Sequence, residues 1–272
     1  MAKARFSKTI AIIILCFLLF LTIIPLLLLL FLSTKDSLDI LINFWEIPKS
    51  IKWGNFTGAF DAVMDSIGNS LYVCAITLLG SLALGSLSGY VFARHHFPFK
   101  NTLFMMLLAV MMIPGILTIV PLYSLITNMG LTHSFWGLIL PYISFTQLLG
   151  LFICRTFFET LPEELFEAAR MDGGSEFYLY SRIALPLSLP VLITVGIITF
   201  LAVYNDYLWP LIVLSESQRT FTIAAVNLTT SGRQDVGLSF GAYILGSIPS
   251  VIVLMLGMKY YVQGMMSGSV KG

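Results

Sequence analysis

The sequence predicts an all-α membrane protein with six transmembrane helices, on three observations. Of its 272 residues, 57% are hydrophobic and only 11% charged. A soluble domain carries roughly 25% charged residues, so this chain cannot coat a globule of its size with ionic surface. Several runs are long and apolar enough to supply the roughly 20 residues that a helix needs to cross a bilayer. Basic residues are also unevenly shared between alternate connecting segments, as orientation in a membrane requires. A net charge of +1 offers no basic patch to neutralise nucleic-acid phosphates.

The spans are taken in order. The first, residues 10–32, follows Lys3, Arg5 and Lys8 and has the look of a secretory signal. It is long enough to cross a membrane, and no small-residue cleavage pattern follows it, so it is read as a retained span. The others are residues 69–92, 103–126, 135–158, 187–214 and 240–262, which make one transmembrane domain over 1–272. Prolines interrupt most of them, at Pro25, Pro114, Pro121, Pro141, Pro190, Pro210 and Pro249. Membrane helices tolerate this because neighbouring groups re-satisfy the freed carbonyls. With the N-terminus in the cytoplasm, the inner segments hold Lys3, Arg5, Lys8, Arg94, Lys100, Arg155, Arg170, Arg182, Lys259 and Lys271. The outer segments hold Lys35, Lys49, Lys52, Arg219 and Arg233. The two-to-one bias places both termini inside.

The second span carries Ser81, Gly85 and Gly89 at helical spacing. Such a stripe is either a close-packing face, within the chain or against another subunit, or the ordinary abundance of small residues in membrane helices. Cys16, Cys74 and Cys154 lie in apolar runs with no CxxC partner, so no metal site is expected. His95 and His96 read as a solvated cytoplasmic turn. The outer segment 33–68 holds Trp45, Pro48 and Trp53, suited to a membrane interface. A second outer segment, 215–239, contains an exposed turn at 231–235.

The cytoplasmic segment 159–186 is the most informative. Thr160 followed three positions later by Glu163 has the pattern of a capping box, and Pro162 suits a first turn. A short helix is predicted through Ala169 to about Asp172, stopped by Gly173-Gly174. Ser175 caps a second short helix, and Pro186 opens the fifth span. On the first helix Leu165, Phe166 and Ala169 share one side, and Glu163, Glu167 and Arg170 share another. A rigid, charged knob between two spans suits docking into a groove on another protein.

Glu167-Ala168-Ala169, then Gly173, Ile183 and Leu185-Pro186, resemble at every fixed position the EAA loop (EAA-x3-G-x9-I-x-LP) of binding-protein-dependent ABC importers. The tail from Gly264, with Gly268, Lys271 and Gly272, and the string Asn205-Asp206-Tyr207-Leu208-Trp209-Pro210 resemble the carbohydrate-uptake branch. The chain resembles the second membrane subunit of maltodextrin-type importers. The resemblance implies a permease forming half of a path for a carbohydrate delivered by an extracytoplasmic solute-binding protein. Its partners would be a second, different permease subunit and two ATPase subunits that hold the ATP and Mg; this chain would be no enzyme and carry no cofactor. Its location would be a bacterial cell membrane. Glu167, Ala168, Ala169, Asp172, Gly173, Ile183, Leu185 and Pro186 would couple the ATPase to the path, and Gly268, Lys271 and Gly272 would reach the ATPase. The residues support coupling independently: the chain has no GxxxxGK[ST] to cradle ATP, and a docked rigid element can pass on a closure motion.

Acids inside spans are costly and functional. Asp206 lies about 28 Å along the fifth span from Leu187, at 1.5 Å per residue, so a path or gate role and a capping or inter-helix role both stand. Tyr204, Asn205 and Trp209 are its companions, an aromatic and amide set that suits a sugar; Trp209 equally suits an interfacial belt. Gln147 is a further path candidate. An ion-driven secondary transporter is the alternative, against which stand the lack of internal repeats and the single candidate acid. An intramembrane enzyme would need a paired acid or a histidine within a span.

Overall fold

The computed structural model describes residues 2–48, 50–230 and 235–269. The described residues are helical, with no strand: α1 (Ala2–Ser33), α2 (Ser37–Ile42), α3 (Gly54–Arg94), α4 (Lys100–Met111), α5 (Gly115–Asn128), α6 (Trp136–Phe158), α7 (Glu163–Met171), α8 (Glu176–Tyr178), α9 (Leu185–Leu187), α10 (Leu189–Tyr204), α11 (Leu208–Val213), α12 (Phe221–Thr230) and α13 (Val236–Ser269). Four of these are long and apolar enough to cross a membrane, and up to six spans result if each of two bent helix pairs counts as one.

Two predicted spans are not single helices, and proline explains both. A proline inside a helix clashes with the carbonyl four residues back and cannot donate to it. Pro114 does this to Val110, so α4 stops at Met111 and α5 restarts after Pro114 at a bend of 96°. The predicted span 103–126 is therefore not one continuous helix. Pro210 does the same to Asp206, so the predicted span 187–214 ends at Tyr204 and resumes only as the short α11. At its other end, Pro190 disrupts the turn at Pro186. The chain bends by 76° at Ser188 between Glu176–Leu187 and Leu189–Tyr204. Pro186 thus sits in the segment before the bend and does not open the fifth-span helix. Pro25, Pro121, Pro141 and Pro249 lie inside continuous helices.

The chain divides into two compact units, Met1–Asp65 with Ala224–Ile248, and Ser66–Ile223 with Pro249–Gly272. In the first, α1 exposes its apolar residues from Ile10 to Leu27, as a lipid-facing helix does, and buries Leu32 near its end. The segment after it is tied down by buried polar groups. Lys35 is 1% exposed; its Nζ donates to the carbonyls of Asn43 (2.7 Å) and Phe44 (3.1 Å) and lies 4.7 Å from the Phe31 ring centre. The Asn55 amide donates to the carbonyls of Ser33 and Lys35. Asp36 caps α2 through the Leu38 N–H at 3.1 Å, and the Lys52 ammonium beside it holds its carboxyl below the usual range. Trp45 and Trp53 stay exposed, as an interfacial role needs.

In the second unit the small-residue stripe of α3 is an internal packing face. The Ser81 hydroxyl lies 2.9 Å from that of Thr146 on α6. A Cβ at Gly85 would meet the backbone of Gln147 and Gly150 at 3.1–3.2 Å, and one at Gly89 would meet Cys154 Cβ at 2.8 Å and the Arg155 nitrogen at 3.0 Å. Backbone, unlike a flexible side-chain end, cannot give way. Lipid offers no hydrophobic drive between helices, so close van der Waals packing carries their association. A Gly89→Leu variant should therefore push α6 away at a cost of about 1–3 kcal/mol or more. Its membrane abundance and melting temperature should both fall; an unchanged melting temperature would place the packing face elsewhere.

Candidate functional site

The segment after α6 forms a short, polar-topped platform over an apolar base. The base is Tyr90, Cys154, Phe158, Phe166, Leu179, Tyr180, Ala184 and Val191, with Ala169, Ile183 and Leu185 packed against it. Three of the fixed positions of the predicted loop, Ala169, Ile183 and Leu185, therefore anchor the platform from below. Phe166 is completely buried, whereas Leu165, expected beside it, is exposed. The buried side of α7 is thus narrower than its sequence pattern suggests. Glu167 and Ala168 face outward, together with Met171, Phe177 and Tyr178. An exposed apolar patch rimmed by charge marks an interaction surface.

The capping box does not form. The Thr160 hydroxyl bonds back to the Phe157 carbonyl at 2.7 Å, and α7 starts at Glu163 behind Pro162 without a side-chain cap. The reason is that Glu163 has stronger partners than a backbone amide: its carboxylate meets Arg94 and, at 3.1 Å, Arg170. Arg170 also reaches Glu176 at 3.1 Å. These hydrogen bonds, to Glu163 first and then to Glu176, raise the guanidinium pKa above its usual value. The turn behaves as read. Gly173 has φ +82°, its N–H donates to Arg170 and that of Gly174 to Ala169, and Asp172 is the C-cap. Ser175 caps α8 by accepting from the Tyr178 N–H at 3.2 Å. The helix that follows passes through a π-helical stretch, Leu179–Ala184.

Arg94, which sequence reasoning used only for orientation, is the keystone of the platform. Its side chain is 8% exposed. It stacks on Phe166 with 4.2 Å to the ring centre, and it donates to the Leu161 carbonyl as well as to Glu163. Only its place at a helix end beside an acidic loop hinted at this. His95 is not a free solvated turn: it sits 3.5 Å from Glu176 and edge-on to Tyr90.

The second feature is a cavity of about 250 Å³ between α5, α6 and α11, lined by Gly115, Thr118, Pro141, Tyr142, Asp206 and Trp209 among others. Asp206 holds two elements together. One carboxylate oxygen accepts from the Tyr142 hydroxyl at 2.7 Å, and the other from the Leu208 N–H at 3.1 Å, at the start of α11. Trp209 is 6% exposed, and its indole donates to the Gly137 carbonyl at 3.1 Å; it is no surface belt residue. The other path candidates do not line this cavity. Tyr204 is buried and stacked between Phe200 and Phe221. The Asn205 amide returns to the Leu201 carbonyl. Gln147 is half-buried on α6. Tyr142 was missed; the available signal was a phenol inside an apolar run, which needs an acceptor when buried. Of the tail residues, Gly268 lies within α13, while Lys271 and Gly272 fall outside the described residues, as does most of the 231–235 turn.

The arrangement has known counterparts. Residues 81–267 match the family described as binding-protein-dependent transport system inner membrane component. The chain is 32% identical over 91% of its length, and 83% of the relative, to the probable ABC transporter permease protein YurM of Bacillus subtilis (strain 168). It is 31% identical to the trehalose transport system permease protein SugB of Mycobacterium tuberculosis (strain CDC 1551 / Oshkosh), covering 83% of this chain and 84% of that one. It is 30% identical to the arabinooligosaccharides transport system permease protein AraQ of Halalkalibacterium halodurans (strain ATCC BAA-125), with 94% of each covered. In fold it matches a chain from the crystal structure of a bacterial ABC transporter that imports the acidic polysaccharide alginate. The TM-score is 0.77 at 17% identity, over 94% of this chain and 97% of that one.

Proposed function

The chain belongs to the binding-protein-dependent transport system inner membrane component family, and from that premise we propose that it forms half of the path by which an ATP-driven importer carries a carbohydrate into the cell. The family is one of transport permeases, and no support remains for an ion-driven mechanism. Relatives named for trehalose and arabinooligosaccharides favour a sugar cargo. So does the cavity, where an indole and a phenol sit beside a carboxylate: aromatic faces stack on sugar rings, and the acid accepts from hydroxyls.

In this reading the whole chain is one transmembrane domain of six spans, the two bent pairs counting as one span each, with both termini in the cytoplasm. The platform is the loop between spans four and five. It docks into an ATPase subunit, with Glu167 as the charged contact, and the tail around Gly268, Lys271 and Gly272 extends towards the same partner. A second, different permease subunit completes the path, two ATPase subunits hydrolyse ATP, and an extracytoplasmic binding protein delivers the sugar. ATP binding then drives transport by favouring one of two states of the path.

The observation that carries the reading is the exposed, internally braced platform. Glu167 forms no ion pair among the described residues, so it is available to a partner. The test is co-purification with the neighbouring gene products and reconstitution in liposomes. ATPase activity stimulated by a sugar-loaded binding protein supports the reading. A lone protein with no ATPase overturns it. In the same system Tyr142→Phe and Asp206→Asn should each reduce sugar uptake roughly tenfold, the scale of one lost charge-assisted hydrogen bond, with the complex still assembled. Unchanged uptake by both variants would exclude this cavity from the path.

A further inference from the structure

One side of α3 holds the platform at three points. Ser86, Tyr90 and Arg94 follow one another at the i, i+4 spacing that keeps residues on a single face of a helix. Ser86 is buried, and its hydroxyl lies 2.8 Å from that of Tyr180 in the π-helical stretch. Tyr90 donates to Glu176 of α8 at 3.3 Å, and Arg94 holds Glu163 of α7. Each of α7, α8 and the π-helical stretch is thus tied to α3. Further along, α3 grips a different segment. The Asn69 amide donates to the Arg219 carbonyl at 3.0 Å. The buried Ser70 hydroxyl accepts from the N–H of Phe221, the first residue of α12, at 2.8 Å. The hydroxyl of Thr220, the residue before α12, is buried without a partner. Ser70 therefore supplies from α3 an acceptor that the first turn of α12 lacks within its own helix.

Between these two joints α3 is continuous and free of proline, whereas proline lies in each of the other five candidate spans. Sharp helix kinks are almost always at proline or a comparable defect. Asn69 and Arg94 stand about 37 Å apart along α3 at 1.5 Å per residue, more than the roughly 30 Å of a bilayer's hydrocarbon core.

We propose that α3 is a rigid rod that carries movement of the platform to the connection at residues 215–221, with Asn69 and Ser70 as the positioning residues of the far joint. On the importer reading above, on which this role rests, an ATPase subunit moves the platform and a binding protein meets the far connection. A stiff element held at both ends passes displacement from one to the other. Linkage makes the effect reciprocal, so a partner bound at the far connection also biases the platform.

The test uses the assembled transporter in nanodiscs. Cys16→Ser removes the exposed native thiol, and an environment-sensitive fluorophore is placed on Ser217→Cys, an exposed position in the far connection. ATP is added with EDTA, so that it binds without hydrolysis, and the fluorophore should respond. Asn69→Leu with Ser70→Ala should cut that response about fivefold or more, the lower end of coupling between distant sites, with basal ATPase activity unchanged. Ser70→Thr, which keeps the acceptor, should retain more of the response than Ser70→Ala. Leu79 lies between the joints and is 73% exposed. Leu79→Pro should interrupt the rod there and lose the response to the same extent, whereas Leu79→Ala should keep it. In a complex that hydrolyses ATP, no response in the parent would overturn the rod. So would a full response in either the Asn69→Leu, Ser70→Ala variant or Leu79→Pro. A complex without ATPase activity would overturn the importer reading, and the rod with it. If the Asn69→Leu, Ser70→Ala variant fails to assemble, the comparison of Leu79→Pro with Leu79→Ala decides.

Discussion

A Gly173→Pro variant is expected to insert in the membrane yet lose ATP-coupled sugar uptake altogether. Gly173 sits at φ +82°, and proline fixes φ near −65°, so the turn after α7 cannot keep its shape. The substitution also removes the N–H that donates to the Arg170 carbonyl at 3.0 Å. Together these cost about 3 kcal/mol or more locally. That is enough to melt a nine-residue helix whose order rests on one buried phenylalanine and a few ion pairs. The long helices, stabilised by their own backbone bonds, are untouched. Gly173→Ala separates conformation from space. A Cβ there meets nothing within 4 Å, so only the left-handed backbone is penalised, by about 1–2 kcal/mol. Uptake by the alanine variant should be reduced and that by the proline variant absent. The measurement is sugar uptake beside binding-protein-stimulated ATPase. Full uptake by the proline variant would remove the platform from the coupling pathway.

Arg94→Ala should be nearly as damaging, through the opposite end of the same helix. The buried guanidinium holds Glu163, the Leu161 carbonyl and the face of Phe166 at once. Truncation strands the Leu161 carbonyl and opens a gap above Phe166. Glu163 is half exposed and keeps Arg170, so the cost stays near 2 kcal/mol, below that of breaking a fully buried pair. The expected outcome is a complex that assembles weakly and hydrolyses ATP without stimulation by the binding protein. Arg94→Lys keeps the charge but loses the fork geometry and the flat stack, so it should rescue only in part. Glu167→Ala is the contrasting case: an exposed side chain outside the bracing network leaves platform stability within about 0.5 kcal/mol. Loss of coupling in that variant therefore reports the proposed contact with an ATPase subunit and not the fold.

Much of this was legible in the sequence, for identifiable reasons. The turn at Gly173 was readable because two adjacent glycines after a helical pattern leave few other conformations, and Ser175 because a hydroxyl before an acidic first turn is a local signal. The apolar runs were readable because their composition allows only one solvent. The errors were also physical. Thr160 matched a capping box, but Glu163 was claimed by two arginines, one of them 69 positions away. The third and fifth spans were drawn whole, because hydropathy does not register that Pro114 and Pro210 each collide with a carbonyl one turn earlier. Trp209 had an interfacial composition but a buried place.

The sequence by itself determined the solvent, the approximate spans, the platform and the family, since these follow from residue type and short-range spacing. Only the tertiary structure decided that Arg94 braces the platform and that Asp206 answers Tyr142. It alone decided that the stripe of Ser81, Gly85 and Gly89 faces α6 within the chain. Each of these joins residues dozens of positions apart, and such a pairing depends on where two helices cross, which no local pattern encodes.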